Sequence, residues 1–399
     1  MKISIFISHP IQYFAPLWQE LARCPSLDLA VHYYSKVGLE TALDSGFRQP
    51  VKWDIDLMSG YRSDFLPRRW PTMDDLDCSW KGLNSGIRRC LDSGADVAYV
   101  SDYVHVNNWV VSRICRSRGI PLMFFSDSNA LYLADSRGPK AWLKERIVRS
   151  FYRSVSVFLS PGDHNKEYLM HYGAPGDRIK WCSYPIDTAR FHSSIASGYN
   201  RASVRERFGV AQDAFVIAFS GKMVPHKRPQ DLVEAIRMLG RKNVIALMIG
   251  SGELEGSLGG DSFIRRTGFV NQREMPAILF MADALVLPSS YEPFGLVVTE
   301  AQCLGIPVIL SDRCGCYGPH GVFRDNESGY LYPCGDVAAL ARCIARMMDD
   351  PAQTRRMGEC ARVLAEEQSV FNIARKFVSA AEFAVTHPRF GQNRIRRTS

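Results

Sequence analysis

The apolar positions of the chain gather into short unbroken runs, separated by stretches in which apolar residues recur every three or four positions. The runs "ISIFIS", "DLAVHYYS", "DVAYVSD", "PLMFFSD" and "VSVFLSPG" fall in the first half. "AFVIAFSG", "NVIALMIGSG", "SFIRRTGFV", "ALVLPSS", "PVILSD" and "GYLYP" fall in the second. Short apolar runs of this kind predict strands covered on both faces. Between them, "APLWQELARC", "VNNWVVSRICRSRG", "HNKEYLMHYG", "RPQDLVEAIRML", "EMPAILFMAD" and "DVAALARCIARMMDD" read as helices. Strands alternating with helices imply parallel sheets with helices on both faces.

The alternation lapses once. Around "WCSYPIDTARFHSSIASGYNRASV" the residues turn polar and small, which predicts an interdomain linker starting near Pro185. The chain therefore reads as α/β: two tandem Rossmann-like, doubly wound domains, 1–185 and 186–367, facing each other across a cleft. Residues 368–399 would add a crossover helix, from about Gln368 to Ala384, and a basic tail. A chain of 399 residues is long enough for two ordinary cores.

Composition narrows the function classes. A net charge of +8 is spread over the chain, with local concentrations at "PRRW", "RSRG", "RSFYRS" and "RFGQNRIRRTS". Nucleic-acid binding would want these cations gathered with aromatics on one face, so no nucleic-acid partner is expected. The eleven cysteines form no framework, and "RCGC" (Cys314, Cys316) lacks the spacing and the second pair of a zinc knuckle. They read as free thiols in a reducing compartment. The opening apolar run is too short for a signal peptide, and no window reaches the length of a membrane span. A cytoplasmic protein, at most peripheral on the inner face of a membrane, is the expectation.

In open parallel sheets, ligands bind in the turns that follow the carboxyl ends of the strands. After "AFVIAFSG" come Lys222, Lys227 and Arg228, cations suited to a diphosphate or else a solvated basic turn. After "NVIALMIG", Gly250 and Gly252 allow a close backbone approach. Gly268, Phe269 and Val270 offer a wall for a flat base. After "ALVLP", the loop "SSYEPFG" runs into a helix beginning near Gly295, whose first N–H groups could face a phosphate or a sugar hydroxyl. Glu292 lies just outside that helix and Glu300 inside it. Eight positions of helix correspond to about 12 Å, so the two suit the ends of one elongated, hydroxyl-rich ligand better than a shared proton. The alternative makes Glu292 solvent-facing and Glu300 half of a structural ion pair. In the first half, His9 and Gln12 follow the first strand, His105 follows "DVAYVSDY" and Asp127 follows "PLMFFS". His9, His105 and Asp127 are candidates to contact a ligand, or else structural hydrogen-bonding groups.

Several motifs, in order, carry a family resemblance. "SYEPFGLVVTEAQCLGIPVI" resembles the E-x7-E segment of retaining glycosyltransferases of the GT-B fold, the family-4-like bacterial group (glycosyl transferases group 1). "SGKMVPHKRPQDLVEAI", "IGSGEL" and "RTGFVNQREMPAILFMADALVLPS" resemble the same group, as do "SHPIQYFAPLWQELA" and "PGDHNKEYLMHYGAPGDRIKWCSYPIDTARF". The likeness runs from residue 1 to about 365.

The resemblance implies a nucleoside-diphosphate sugar held by the carboxy-terminal domain and an acceptor presented by the amino-terminal one. By motif position, Glu300 would bind the ribose and Glu292 would sit beside the donor sugar. The amides of Phe294, Gly295 and Leu296 would cradle diphosphate or sugar. Lys227 matches the family's pyrophosphate lysine, and Lys222 stands where arginine is common, so the planar fork is lost. Gly252 and Val270 complete the donor side; His105 and Gln12 stand on the acceptor side, with Glu292, His9 and Asp127 nearest the chemistry. The glycines that many relatives carry in the first loop are replaced by "HPIQ". No metal is expected, since two lysines and a helix amino terminus can meet the departing charge. "MDDLD" (Asp74, Asp75, Asp77) reads as surface.

The expected function is retaining transfer from a UDP- or GDP-linked sugar to a glycan or lipid-linked acceptor in surface polysaccharide or glycolipid synthesis. The alternatives are a nucleotide-sugar epimerase of the same fold and a non-catalytic sugar-nucleotide-binding module. A Rossmann dehydrogenase is excluded for want of G-x-G-x-x-G after the first strand. The stretches "RRW" and "AWLKERIVRSFYRS" suit contact with an anionic membrane.

Overall fold

The computed structural model describes residues 1–389 apart from 45, 71–77, 134–137 and 197–199. The aspartates of "MDDLD" and nearly all of the basic tail therefore lie outside the described residues. The chain divides into two compact units. The first holds residues 1–41, 56–185 and 370 onward; the second holds 42–55 and 186–369.

The first unit is built on a parallel sheet of seven strands among the described residues. Across the sheet they run Ser63–Phe65, Asp28–Tyr33, Lys2–Ile7, Val97–Val100, Leu122–Phe125, Val157–Ser160, Ile179–Trp181. The inner strands are buried on both faces, as in the runs VAYV and LMFF, which is why their sequences show no polar alternation. The helix Val370–Thr386 covers one face, setting Ile373, Phe377 and Ala381 among Ile3, Ile5, Val97 and Tyr99. The Phe377 ring lies 5.4 Å from Tyr99 and 5.9 Å from Trp18. The chain's last described helix thus belongs to the first unit.

The second unit repeats the plan with six parallel strands among the described residues. Their order is Ile264–Gly268, Val244–Ile249, Phe215–Ser220, Ala284–Leu287, Val308–Ser311, Gly329–Tyr332. The helices Pro229–Leu239 and Val337–Asp349 pack Leu232, Ile236, Leu340 and Ile344 against Ile217, Met248 and Val286.

Two segments differ from the sequence expectation. The supposed linker is structured: Ile179–Trp181 is a strand, and Thr188–Ala196 and Arg201–Arg207 are helices. Cys182, Ile186 and Phe191 are buried, so a few apolar anchors hold a segment rich in polar and small residues. Residues 42–55 group with the second unit and not with the sequence around them. They form a small hairpin, Ala42–Asp44 against Gln49–Val51, tied to residues 222, 251, 269, 271 and 273.

In each sheet the order reverses at one place, between Lys2–Ile7 and Val97–Val100 in the first and between Phe215–Ser220 and Ala284–Leu287 in the second. Loops leaving adjacent strands there diverge to opposite faces and open a crevice at the carboxyl ends. The reversal falls where the candidate residues lie.

Candidate active site

In the second unit, the loops on the two sides of the reversal are stitched together. The loop after Phe215–Ser220 carries Lys222 and Lys227; the loop after Ala284–Leu287 carries Glu292. The Ser290 N–H donates to the His226 carbonyl at 2.8 Å, and the Lys227 ammonium donates to the Glu292 carboxylate. This pair is largely shielded, with side chains 20% and 11% exposed. The Glu292 carbonyl accepts the Gly315 N–H at 2.9 Å. Glu292 is therefore buried and paired, which removes the solvent-facing alternative.

The basic turn is not simply solvated either. Lys222 pairs with Asp44 at 2.9 Å, and Arg228 with Asp231 at 2.7 Å. Arg228 has φ of +50° and caps the helix Pro229–Leu239 from the left-handed region, so its role is in the turn. Lys222 and Lys227 are each held by a carboxylate, Asp44 and Glu292.

The helix Leu296–Cys303 begins at Gly295, which adopts φ +86° and ψ +65°. A Cβ there would stand 2.8 Å from Leu287 Cδ2 and 3.3 Å from Glu292 Cγ. Only glycine lets the chain turn this tightly and keep Glu292 in place. The amides of Phe294, Gly295 and Leu296 precede the first internal bond of the turn, Val298 N–H to the Gly295 carbonyl at 2.9 Å. Glu300 lies inside the helix and is 3% exposed. Burial, then the Glu300 charge, raises the Cys303 thiol well above its ordinary range.

Gly252 has a packing reason within the unit. A Cβ at this φ of +153° would meet the Met223 carbonyl oxygen at 2.6 Å, and the Met223 N–H donates to the Ser251 carbonyl at 2.8 Å. The close approach it permits is between two strand-end loops. Val270 is buried beside Phe269, whose ring contacts Phe47 at 4.9 Å and Trp53 at 6.3 Å. Sequence reasoning missed Asp44, Phe47 and Trp53. The one local signal was "LDSGF", a turn-forming stretch whose partners lie far along the chain.

In the first unit, His9 and His105 occupy the loops on either side of the reversal, and Gln12 sits in the turn leading to the helix Ala15–Ala22. His9 Nδ1 and Ser8 Oγ are 2.9 Å apart. Burial, and then the neighbouring His105, lowers the His9 imidazole to about 4. A general base works best with a pKa near the working pH, so His9 is a neutral hydrogen-bonding group and a weak base. His105 is engaged locally, with Nδ1 3.0 Å from Asp102 Oδ2 and Nε2 3.2 Å from Cys78 Sγ. Both ring nitrogens are therefore engaged within the first unit. Asp127 accepts from the Tyr184 hydroxyl at 3.1 Å. Among the described residues, His32, Asp64 and Cys90 form a group close enough to share a metal ion. They belong to the first unit and include none of the candidate residues.

Residues 200–363 match the family model described as glycosyl transferases group 1. A D-inositol 3-phosphate glycosyltransferase of Streptomyces scabiei (strain 87.22) is 30% identical over 295 residues, 66% of this chain and 64% of the relative. Its counterpart from Streptomyces avermitilis is 33% identical over 290 residues, 65% of this chain and 60% of the relative. The match thus spans less than two thirds of either relative. The crystal structure of Anabaena HepE in complex with UDP aligns with a TM-score of 0.72 and 16% identity, covering 96% of this chain and all of that one. The fold is that of the GT-B glycosyltransferases.

Proposed function

We propose that this chain, whose residues 200–363 form a glycosyl transferases group 1 domain, moves a sugar from a nucleoside-diphosphate donor to a glycan or lipid-linked acceptor with retention of anomeric configuration. The observation that carries this is the shielded Lys227–Glu292 pair at the strand-order reversal, directly ahead of the Gly295 helix start. Lys222, Lys227 and the amides of Phe294, Gly295 and Leu296 meet the charge of the departing diphosphate. These groups can do so without a divalent cation. Glu300 takes the ribose hydroxyls, Glu292 positions the donor sugar, and Val270 borders the base. Gly252 acts indirectly, by holding its loop against Met223. His9, Gln12 and Asp127 serve the acceptor. The complex of HepE with UDP makes UDP the first nucleotide to test.

Incubation with UDP- and GDP-hexoses and detergent-solubilised lipid-linked glycans is expected to release nucleoside diphosphate in step with glycosylated product. Nuclear magnetic resonance of that product should show the donor's anomeric configuration. An inverted linkage would overturn retention, and a free epimerised sugar without acceptor would replace transfer with epimerisation.

The acceptor side of the proposal is a membrane-borne one, approached from the cytoplasm. No helix among the described residues is long and apolar enough to cross a membrane. The helix Pro139–Tyr152 exposes Trp142, Leu143 and Ile147 at 57%, 53% and 42%, interleaved with Lys140, Lys144 and Arg146. Exposed apolar residues among cations suit the interface of an anionic bilayer. Liposomes containing anionic lipid should sediment the protein at low salt, and Leu143→Ser with Ile147→Ser should lose most of that recovery. Equal recovery with neutral liposomes would contradict the contact.

A further inference from the structure

The hairpin at 42–51 encloses Lys222. The Asp44 carboxylate takes its ammonium at 2.9 Å through Oδ1 and 3.0 Å through Oδ2. The Phe47 ring lies 5.1 Å beneath it. Gly46 lies so close to the lysine stem that a Cβ there would stand 2.4 Å from Lys222 Cδ. Three residues of one turn thus fix the position of one cation. The turn is itself ordered by Asp44, which accepts the Gly46 and Phe47 N–H groups at 2.9 and 3.0 Å.

The enclosure is anchored on the strand-end loops of the second unit. Ser251 Oγ–H donates to the Phe47 carbonyl at 2.9 Å, and Asn271 Nδ2–H to the Lys52 carbonyl at 2.7 Å. The Arg273 N–H donates to Asp54 at 3.2 Å, and Phe47 meets Phe269 edge-on. The anchors lie on the loops after two neighbouring strands, Val244–Ile249 and Ile264–Gly268, the same loops that carry Gly252 and Val270.

We propose that Asp44 is a built-in competitor for the donor's diphosphate at Lys222, and that the 42–51 hairpin thereby sets the affinity of the site. This rests on the donor reading of Lys222. A carboxylate and a phosphate oxygen offer an ammonium the same bond. A diphosphate brings more negative charge than one carboxylate and displaces it; a weakly charged ligand does not. Phe47 holds the ammonium in place during the exchange, because a cation over an aromatic face is attracted whichever anion it pairs with.

The test is calorimetric titration of UDP, GDP and ADP into the wild type, Asp44→Asn, Lys222→Met and the double variant. Asparagine keeps the oxygen that accepts the Gly46 and Phe47 N–H groups, so the turn is preserved, and matching thermal melts check this. Side chains 40% and 31% exposed make the Lys222–Asp44 pair a partly screened one, so Asp44→Asn should tighten the bound nucleotide by about three- to fivefold. The gain should shrink at high salt and vanish in the Lys222→Met background. An unchanged or weaker affinity for Asp44→Asn, or a gain that survives loss of Lys222, would overturn the proposal while leaving the donor reading intact. Absence of any binding to the wild type would overturn the donor reading, and this one with it.

Discussion

Lys227→Ala is expected to lower kcat/KM by about 100- to 1000-fold, the scale seen when one preorganised donor to a developing anion is removed. The same change should lower stability, because it leaves the shielded Glu292 carboxylate without the Lys227 ammonium. Breaking a buried pair from one side costs about 3–5 kcal/mol. With Lys227 20% exposed, the lower end of that range applies. Chemical denaturation and steady-state kinetics separate the two effects. Adding Glu292→Gln to Lys227→Ala should restore most of the stability, since a neutral amide needs no cation, and none of the turnover. A Lys227→Ala protein with unchanged melting and unchanged kinetics would return the loop to an ordinary basic turn.

Glu300→Ala is expected to weaken nucleoside-diphosphate binding by about 10- to 100-fold, the value of hydrogen bonds to a charged group. Glu300 is 3% exposed, and burying a carboxylate costs free energy that its contacts in the fold must offset, so the melting temperature reports those contacts and the titration reports the ligand. If Glu300 served only the fold, its loss would lower the melting temperature and spare the affinity. Differential scanning calorimetry with a UDP titration distinguishes the two readings.

The inner strands were legible because buried parallel strands leave an unmistakable trace: "VAYV" and "LMFF" have no polar position to misplace. The loops carrying Lys227 and Glu292, and the helix carrying Glu300, followed from strand ends alone. Strand order was not legible, since no local pattern says that Phe215–Ser220 and Ala284–Leu287 are neighbours. The reversal that makes their loops a site therefore became visible only in the sheet. The 181–204 stretch misled because its helices rest on few apolar anchors, Phe191 among them. The helix Pro351–Glu367 was overlooked for its polar composition, although Thr354, Met357, Ala361 and Leu364 recur at helical spacing and Asp350 caps it through the Gln353 N–H at 2.8 Å. The 42–55 hairpin lay furthest from reach. Its defining contact, Asp44 to Lys222, joins positions 178 residues apart, and both residues are ordinary surface types until the fold brings them together. The same holds for His105, whose engagement by Asp102 and Cys78 depends on a partner 27 positions earlier.

The central claim is that the second unit holds a nucleoside diphosphate between the Lys222–Lys227 loop and the Gly295 helix start. Isothermal titration of the wild-type protein with UDP, GDP and ADP, repeated with Lys227→Ala, tests it most directly. The account predicts saturable one-to-one binding of one nucleotide over the others, lost with Lys227→Ala. Binding that Lys227→Ala leaves unchanged, or no binding of any of the three, would contradict it.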